Sequence, residues 1–256
     1  MGKNNMNNIN NKIDLSNYVY GKNTIEELLD SNVEVNRVLL QKDLKKSDLD
    51  KYIRILKTNN IMFDLVDKQR LDKITLGHQG IIANISEYKY YDLEEVLQNS
   101  KDKKNKHIIV LDKIEDVHNL GAIIRTAEAA GFIGVVIPKR NAAQVTKIVY
   151  KTSAGAVAHI PIIRVSNIKD AVNTCKKYGM WVVGTSLEGS ITYNKCDLKG
   201  DICIVIGNEE KGISPLVLKN CDFLVKIPMI GKVQSLNASV SAGILIYETI
   251  RQNMNI

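Results

Sequence analysis

Three short segments of this chain carry side chains that could act on a bound polar group, and each follows a stretch that reads as a strand. In DVHNLGAIIRTAEAAGF, Asn119 stands where a helix would begin, and Arg125 shares a face with Gly121, Ala122 and Ala129. Small neighbours leave a guanidinium open to an approaching ligand. In IVIGNEEKGIS, an apolar run enters Gly207, Asn208 and Glu209. A glycine there lets a ligand lie against the backbone, and an acid at a strand end can orient a hydroxyl. In IPMIGKVQSLNASVSAGILIYE, a turn at Gly231 precedes Ser235, the expected N-cap, and Asn237 in the first turn of a final helix. Ala238, Ser239, Ser241, Ala242 and Gly243 on that helix imply close packing against another backbone. Taken singly, each segment also fits plain structure: a cap and a surface arginine, a turn with solvated acids, a decorated first turn.

The common alternatives lack their residues. No two of the 16 glycines are separated by a single residue, so the G-x-G-x-x-G dinucleotide loop is absent. Gly207 and Gly212 have P-loop spacing, but Ile213 stands where the phosphate-binding lysine belongs, and Glu209 and Glu210 would repel phosphate. There is no G-x-S-x-G elbow and no H-E-x-x-H helix, which leaves hydrolase and zinc-protease chemistry without nucleophile or metal. The four cysteines, Cys175, Cys196, Cys203 and Cys221, have no C-x-x-C or zinc-finger spacing and read as small apolar fillers. No metal site is expected.

At 256 residues, 45% hydrophobic and 25% charged, the chain has the balance of a globular protein with room for one large or two modest domains. No apolar run reaches the ~18 residues of a membrane span and no signal-peptide core begins the chain, so a cytoplasmic protein is expected. Net charge is +7, unevenly spread: between Glu128 and Asp170 there is no acid, while Lys139, Arg140, Lys147, Lys151, Arg164 and Lys169 fall there. That pattern suits a polyanion such as RNA, and equally a solvated lysine-rich surface.

The elements that must position these groups fall into two units. Residues 1–17, rich in asparagine, read as a disordered leader. Residues 18–90 read as a small α/β/α unit. Its first helix is expected to start at Thr24, with Glu27 completing a capping box. Residues 91–106 start as a possible helix, decay into a charged polar run and read as a linker. From His107 onward, short continuous apolar strands alternate with helices, the signature of a mostly parallel sheet covered on both faces. Such sheets bind ligands at the carboxyl ends of their strands, where all three polar segments fall.

In this order and spacing the three segments strongly resemble the signature motifs of the SpoU family of RNA ribose 2′-O-methyltransferases, within the SPOUT superfamily. N-L-G-x-x-x-R-T-x-x-x-x-G, I-G-N-E-x-x-G and I-P-M-x-G-x-x-x-S-L-N-x-S-x-(S/A) are all present without a break, and KTSAGA at 151–156 matches as well. Residues 18–90, with YGKNTIEELL and GHQGI, look like the L30e-like RNA-binding domain that precedes the catalytic domain in bacterial large-subunit ribosomal RNA guanosine members.

The resemblance implies an α/β catalytic domain over 107–256 whose C-terminal segment forms a deep trefoil knot. It implies an S-adenosyl-L-methionine pocket at Thr185, Leu187, Gly207, Ile227, Met229 and Leu236, and a homodimer with the site beside its interface. Asn119, Arg125, Glu209, Ser235 and Asn237 would form the catalytic set, and Lys139, Arg140, Lys147 and Lys151 an RNA-binding surface. The implied reaction is transfer of the sulfonium methyl to a ribose 2′-oxygen of RNA, most closely a guanosine of 23S ribosomal RNA. Transfer-RNA members of the family and a non-catalytic RNA-binding or ribosome-assembly protein are the alternatives. In the family the arginine matching Arg125 has been proposed as general base, but an ordinary guanidinium stays protonated, which favours a cationic clamp.

Overall fold

A computed structural model describes residues 18–29, 35–86, 88–186, 191–232 and 235–254. The first unit comprises β1 (Tyr18–Tyr20), α1 (Lys22–Leu29), β2 (Val35–Gln41), α2 (Lys46–Thr58), β3 (Phe63–Val66), α3 (Lys68–Asp72) and β4 (Ile81–Ile85). Its sheet runs β1-β4-β2-β3, with β4 antiparallel to both neighbours and β2 parallel to β3. Alternation along the strands divides the core. Val38, Leu40, Ile81 and Ala83 meet α1 and α2 on one face, while Leu39, Ile82 and Val66 meet Leu71 of α3 on the other.

The second unit begins with α4 (Leu93–Asn99), β5 (His107–Asp112), α5 (Val117–Ala129), β6 (Gly134–Pro138), α6 (Lys147–Thr152) and β7 (Ile162–Val165). It continues with α7 (Ile168–Lys177), β8 (Trp181–Thr185), β9 (Ile191–Thr192), β10 (Ile202–Gly207), α8 (Pro215–Leu218), β11 (Phe223–Lys226) and α9 (Ala238–Asn253). Seven strands in the order β7-β6-β5-β10-β8-β11-β9 pair throughout in parallel. The central strands β5, β6 and β10 are buried along their whole length because each face needs an apolar side chain. Ile109, Leu111, Val135, Ile204 and Ile206 pack toward α5 and α9. Ile108, Val110, Val136, Cys203 and Val205 pack toward α4 and α7.

Two expectations change. α1 starts at Lys22, not after Thr24, which is buried inside the helix. Gly21, at φ +98°, makes the turn, and the Lys22 amide donates to Gln79 Oε1 at 2.9 Å, so the helix is capped from a distant loop rather than by its own sequence. The expected linker over 91–106 is in its first half part of the catalytic unit. The Tyr91 amide donates to the Ile162 carbonyl at 3.0 Å, Asp92 caps α4, and Leu93, Val96 and Leu97 are buried against the sheet. An apolar i, i+3, i+4 stripe outweighs the surrounding charge. The expected leader lies outside the described residues.

The two units share a packed seam. Tyr88 and Tyr90 stack edge-on at 5.0 Å, and their hydroxyls accept the amides of Ile162 and Val145. His159 meets Glu27 at 3.0 Å, and a Cβ on Gly155 would collide with the Cβ of Glu27. At the far end, Gln252 and Asn253 button the last turn of α9 to residues 196–200. Their side-chain oxygens accept the Leu198 and Gly200 amides at 2.8 Å each, and their amide nitrogens donate to the Cys196 and Leu198 carbonyls at 3.0 and 2.6 Å.

At about 1 kcal/mol net per hydrogen bond, Gln252→Ala combined with Asn253→Ala should lower the unfolding free energy by about 2 to 4 kcal/mol in urea titrations. A second expectation concerns pH. Burial holds the His107 imidazole down at about 4, whereas the unfolded chain takes up that proton near 6.5. The contribution of neutral His107 is therefore whole above ~6.5, is lost as pH falls toward 4, and is flat below, about 3 kcal/mol in all. His107→Leu should flatten the stability profile within that window by about one proton relative to wild type.

Candidate active site

The carboxyl ends of β5, β8, β10 and β11 open on one edge of the sheet, and the three polar segments converge there. Asp116, not Asn119, caps α5, its carboxylate accepting the His118 amide at 2.8 Å. Asn119 consequently sits in the first turn, 7% exposed, with its amide directed away from its own backbone. Its Nδ2 donates to Glu209 Oε1, and its Oδ1 accepts Asn237 Nδ2 at 2.8 Å. Asn237, not Ser235, is the N-cap of α9, accepting the Ser239 amide at 2.9 Å and its hydroxyl at 2.5 Å. One hydrogen-bond chain thus runs from the N-terminus of α9 through two amides to the Glu209 carboxylate. Every dipole in it points the same way, an arrangement in which each bond polarises the next. Among the described residues Glu209 Oε2 receives no donor, so one carboxylate oxygen remains to accept a hydroxyl.

Beside this chain lies a cavity of about 350 Å³, in the range of small-molecule pockets. Thr185, Gly207, Ile227, Met229 and Leu236, the expected cofactor residues within the described structure, all line it, together with Ser235 and Glu209. Leu187 lies outside the described residues. Aliphatic walls from Ile206, Ile213 and Val225 and backbone edges from residues 207–212 suit a flat apolar ring with polar edges, which fits the adenosyl part of S-adenosyl-L-methionine.

Gly207 has a different use from the one its position suggested. A Cβ there would lie 2.2 Å from the carbonyl carbon of Gly212. The loop after β10 folds straight back over Gly207, closed by paired hydrogen bonds between Asn208 and Gly212, and this return builds the cavity wall. Gly121 likewise holds no ligand space. A Cβ on it would stand 1.8 Å from Thr152 Oγ1, so the small face of α5 seats α6. The small residues of α9 do pack closely as expected, Ala238 and Ala242 being buried and Gly243 lying against Thr126 of α5.

Arg125 is not brought into the chain of hydrogen bonds. Six residues beyond Asn119 on α5, it points to another side of the helix, exposed and outside the cavity wall. Lys139 and Arg140 stand exposed just after β6, on the same edge as the site. Lys151 lies over the Tyr20 ring at 4.9 Å, at the seam with the first unit, and Lys147 is half-buried at the start of α6. Asp112 was not singled out by sequence reasoning, and Asn208 was named in its segment without a role. The available signal was the strand ends themselves: an acid closing the apolar run of β5, and an amide after that of β10.

Known proteins resemble this chain over both units. Residues 106–247 match the SpoU rRNA Methylase family, and residues 18–91 match the RNA 2′-O ribose methyltransferase substrate-binding domain. A Staphylococcus saprophyticus protein named for the TrmH family of tRNA/rRNA methyltransferases is 40% identical over 236 residues, covering 91% of this chain and 95% of its own. The SpoU methyltransferase AviRb from Streptomyces viridochromogenes, solved in complex with AdoMet, superposes with a TM-score of 0.77 at 25% identity, over 92% of this chain and 89% of that one. An AdoMet-bound rRNA methyltransferase from Sinorhizobium meliloti shares the fold with a TM-score of 0.80 at 24% identity, over 94% of this chain and 88% of its own. The chain belongs to the SpoU rRNA methylase family and carries the substrate-binding domain of the RNA ribose 2′-O-methyltransferases ahead of its catalytic domain.

Proposed function

We propose that this RNA ribose 2′-O-methyltransferase acts on a guanosine of large-subunit ribosomal RNA. The observation that carries the site assignment is the chain Asn237–Asn119–Glu209 ending beside the cavity. S-adenosyl-L-methionine supplies an electrophilic methyl group on its sulfonium when bound. Glu209 Oε2 accepts the ribose 2′-hydroxyl, aims its lone pair in line and takes the proton that the oxygen gives up as it is methylated, while Asn119 keeps that carboxylate from rotating. Ser235 and Leu236 line the same cavity beside it. Positioning of this kind is worth roughly 7 to 11 kcal/mol, enough that no strong base is obligatory.

Arg125 serves in this reading as a clamp for the RNA phosphate next to the target ribose. Its place off the cavity fits a homodimer. α9 leaves Val240 and Tyr247 exposed at 49% and 53%, one helical stripe beside α5, and a second copy covering that stripe would bring α5 to the seam. The C-terminal segment from Ile227 to α9, which carries Met229, Leu236 and Asn237, is the part we assign to the trefoil knot. The ribosomal target rests on the first unit, which packs against the catalytic unit through the seam. Lys139 and Arg140 would track the phosphates between the two.

The direct experiment is incubation of the protein with labelled S-adenosyl-L-methionine and unmethylated ribosomal or transfer RNA, followed by mapping of the modified ribose. Label in a guanosine 2′-oxygen of large-subunit RNA is the expected result, and label confined to transfer RNA would replace that substrate. Glu209→Ala and Asn237→Ala should each slow single-turnover transfer at least ~10²-fold while remaining folded. Arg125→Lys should fall sharply yet stay above Arg125→Ala, with no ionisation in the neutral pH range that moves on substitution. A limb that does move would make Arg125 the base.

A further inference from the structure

Asp112 closes β5 and is 3% exposed. Burial of a carboxylate is costly unless donors compensate it, and an apolar or hydroxyl residue would end an apolar strand more cheaply. Its register partner is Gly207, the last residue of β10. Oδ2 of Asp112 accepts the Ser214 amide at 2.7 Å, the short length of a charge-assisted bond. The next residue, Lys113, takes a left-handed φ of +63°. Its carbonyl accepts Asn208 Nδ2 at 3.1 Å. Both ends of the loop 208–214 are thereby hooked to two consecutive residues at the exit of β5. Between the hooks lie Glu209 and the part of the cavity wall formed by Gly212 and Ile213.

We infer that Asp112 is a positioning residue for methyl transfer: its buried carboxylate holds the returning loop so that Glu209 meets Asn119 and the cofactor wall keeps its shape. This rests on the function proposed above. Asp112 touches neither substrate nor cofactor and acts through the loop. The Asn208 hook fixes the outgoing end, its Oδ1 also accepting the Glu210 and Lys211 amides at 3.0 and 3.2 Å.

The test compares wild type, Asp112→Ala and Asp112→Asn in S-adenosyl-L-methionine binding by calorimetry and in single-turnover transfer, well below each protein's Tm. Asp112→Asn keeps an oxygen for the Ser214 amide. Asp112→Ala should weaken cofactor binding at least ~10-fold and slow transfer ~10²-fold, as a misplacement near 1 Å does, while Asp112→Asn stays within about threefold of wild type. Wild-type binding and rate in Asp112→Ala, with only a lower Tm, would overturn the inference, as would Asp112→Asn as defective as Asp112→Ala. Should Asp112→Ala not fold, Asn208→Asp serves. It keeps the acceptor for Glu210 and Lys211 but loses the donor to Lys113, so cofactor affinity should fall, and unchanged affinity overturns the proposal. A wild type that neither binds S-adenosyl-L-methionine nor methylates RNA would sink the function reading itself, a result distinct from failure of the variants alone.

Discussion

A primary amide has one accepting and one donating end, and the buried Asn119 uses both, on partners 90 and 118 residues away in sequence. The rest of the site depends on that constraint. A carboxylate alone on a returning loop would sample many rotamers, and an asparagine alone at a helix N-terminus would simply cap it. Joined through Asn119, Glu209 and Asn237 fix one another. The chain can close only if α5, the loop after β10 and the start of α9 reach the same point, and the parallel sheet brings them there. β5 and β10 are hydrogen-bonded neighbours whose carboxyl ends coincide, with Asp112 opposite Gly207.

Two glycines make the approach possible by letting protein close on protein. Gly207 allows the loop to fold over the strand it has just left, and Gly121 allows α6 to seat on α5. The cavity beside the chain is a consequence of the first. Its wall is the returned loop, and its far side comes from residues that precede α9. The cavity and the hydrogen-bond chain are thus built from the same turn, so that a displacement of one displaces the other.

Much of this was legible in the sequence because it is written in short-range patterns. The apolar runs at 108–111 in β5 and 202–206 in β10 announce buried parallel strands, and Gly131, whose amide bonds back to Glu128, ends α5 where its position suggested. The three polar segments could be assigned to strand ends from local order alone. What could not be read was which partner each polar group chooses. Asn119 and Ser235 have the chemistry of caps, but Asp116 and Asn237 hold those places. Thr24 and Glu27 have the spacing of a capping box, yet Gln79, from a loop more than fifty residues away, supplies the acceptor. A helix at the start of residues 91–106 was readable, but the burial of its stripe Leu93, Val96 and Leu97 depends on a sheet formed later in the chain. At the caps of α5 and α9 a neighbour two or three residues away took the place, whereas for Asn119, α1 and the 93–97 stripe a long-range partner decided the outcome, and no spacing rule carries that information.

The central claim is that Glu209, Asn119 and Asn237 act as one unit. A double-mutant cycle on single-turnover methyl transfer tests it most directly, comparing Glu209→Ala, Asn237→Ala and the double variant at saturating RNA and S-adenosyl-L-methionine. If the unit is real, the double variant should be hardly slower than the worse single one, because either substitution alone already releases the chain. Losses that multiply, as those of independent residues do, would contradict the account.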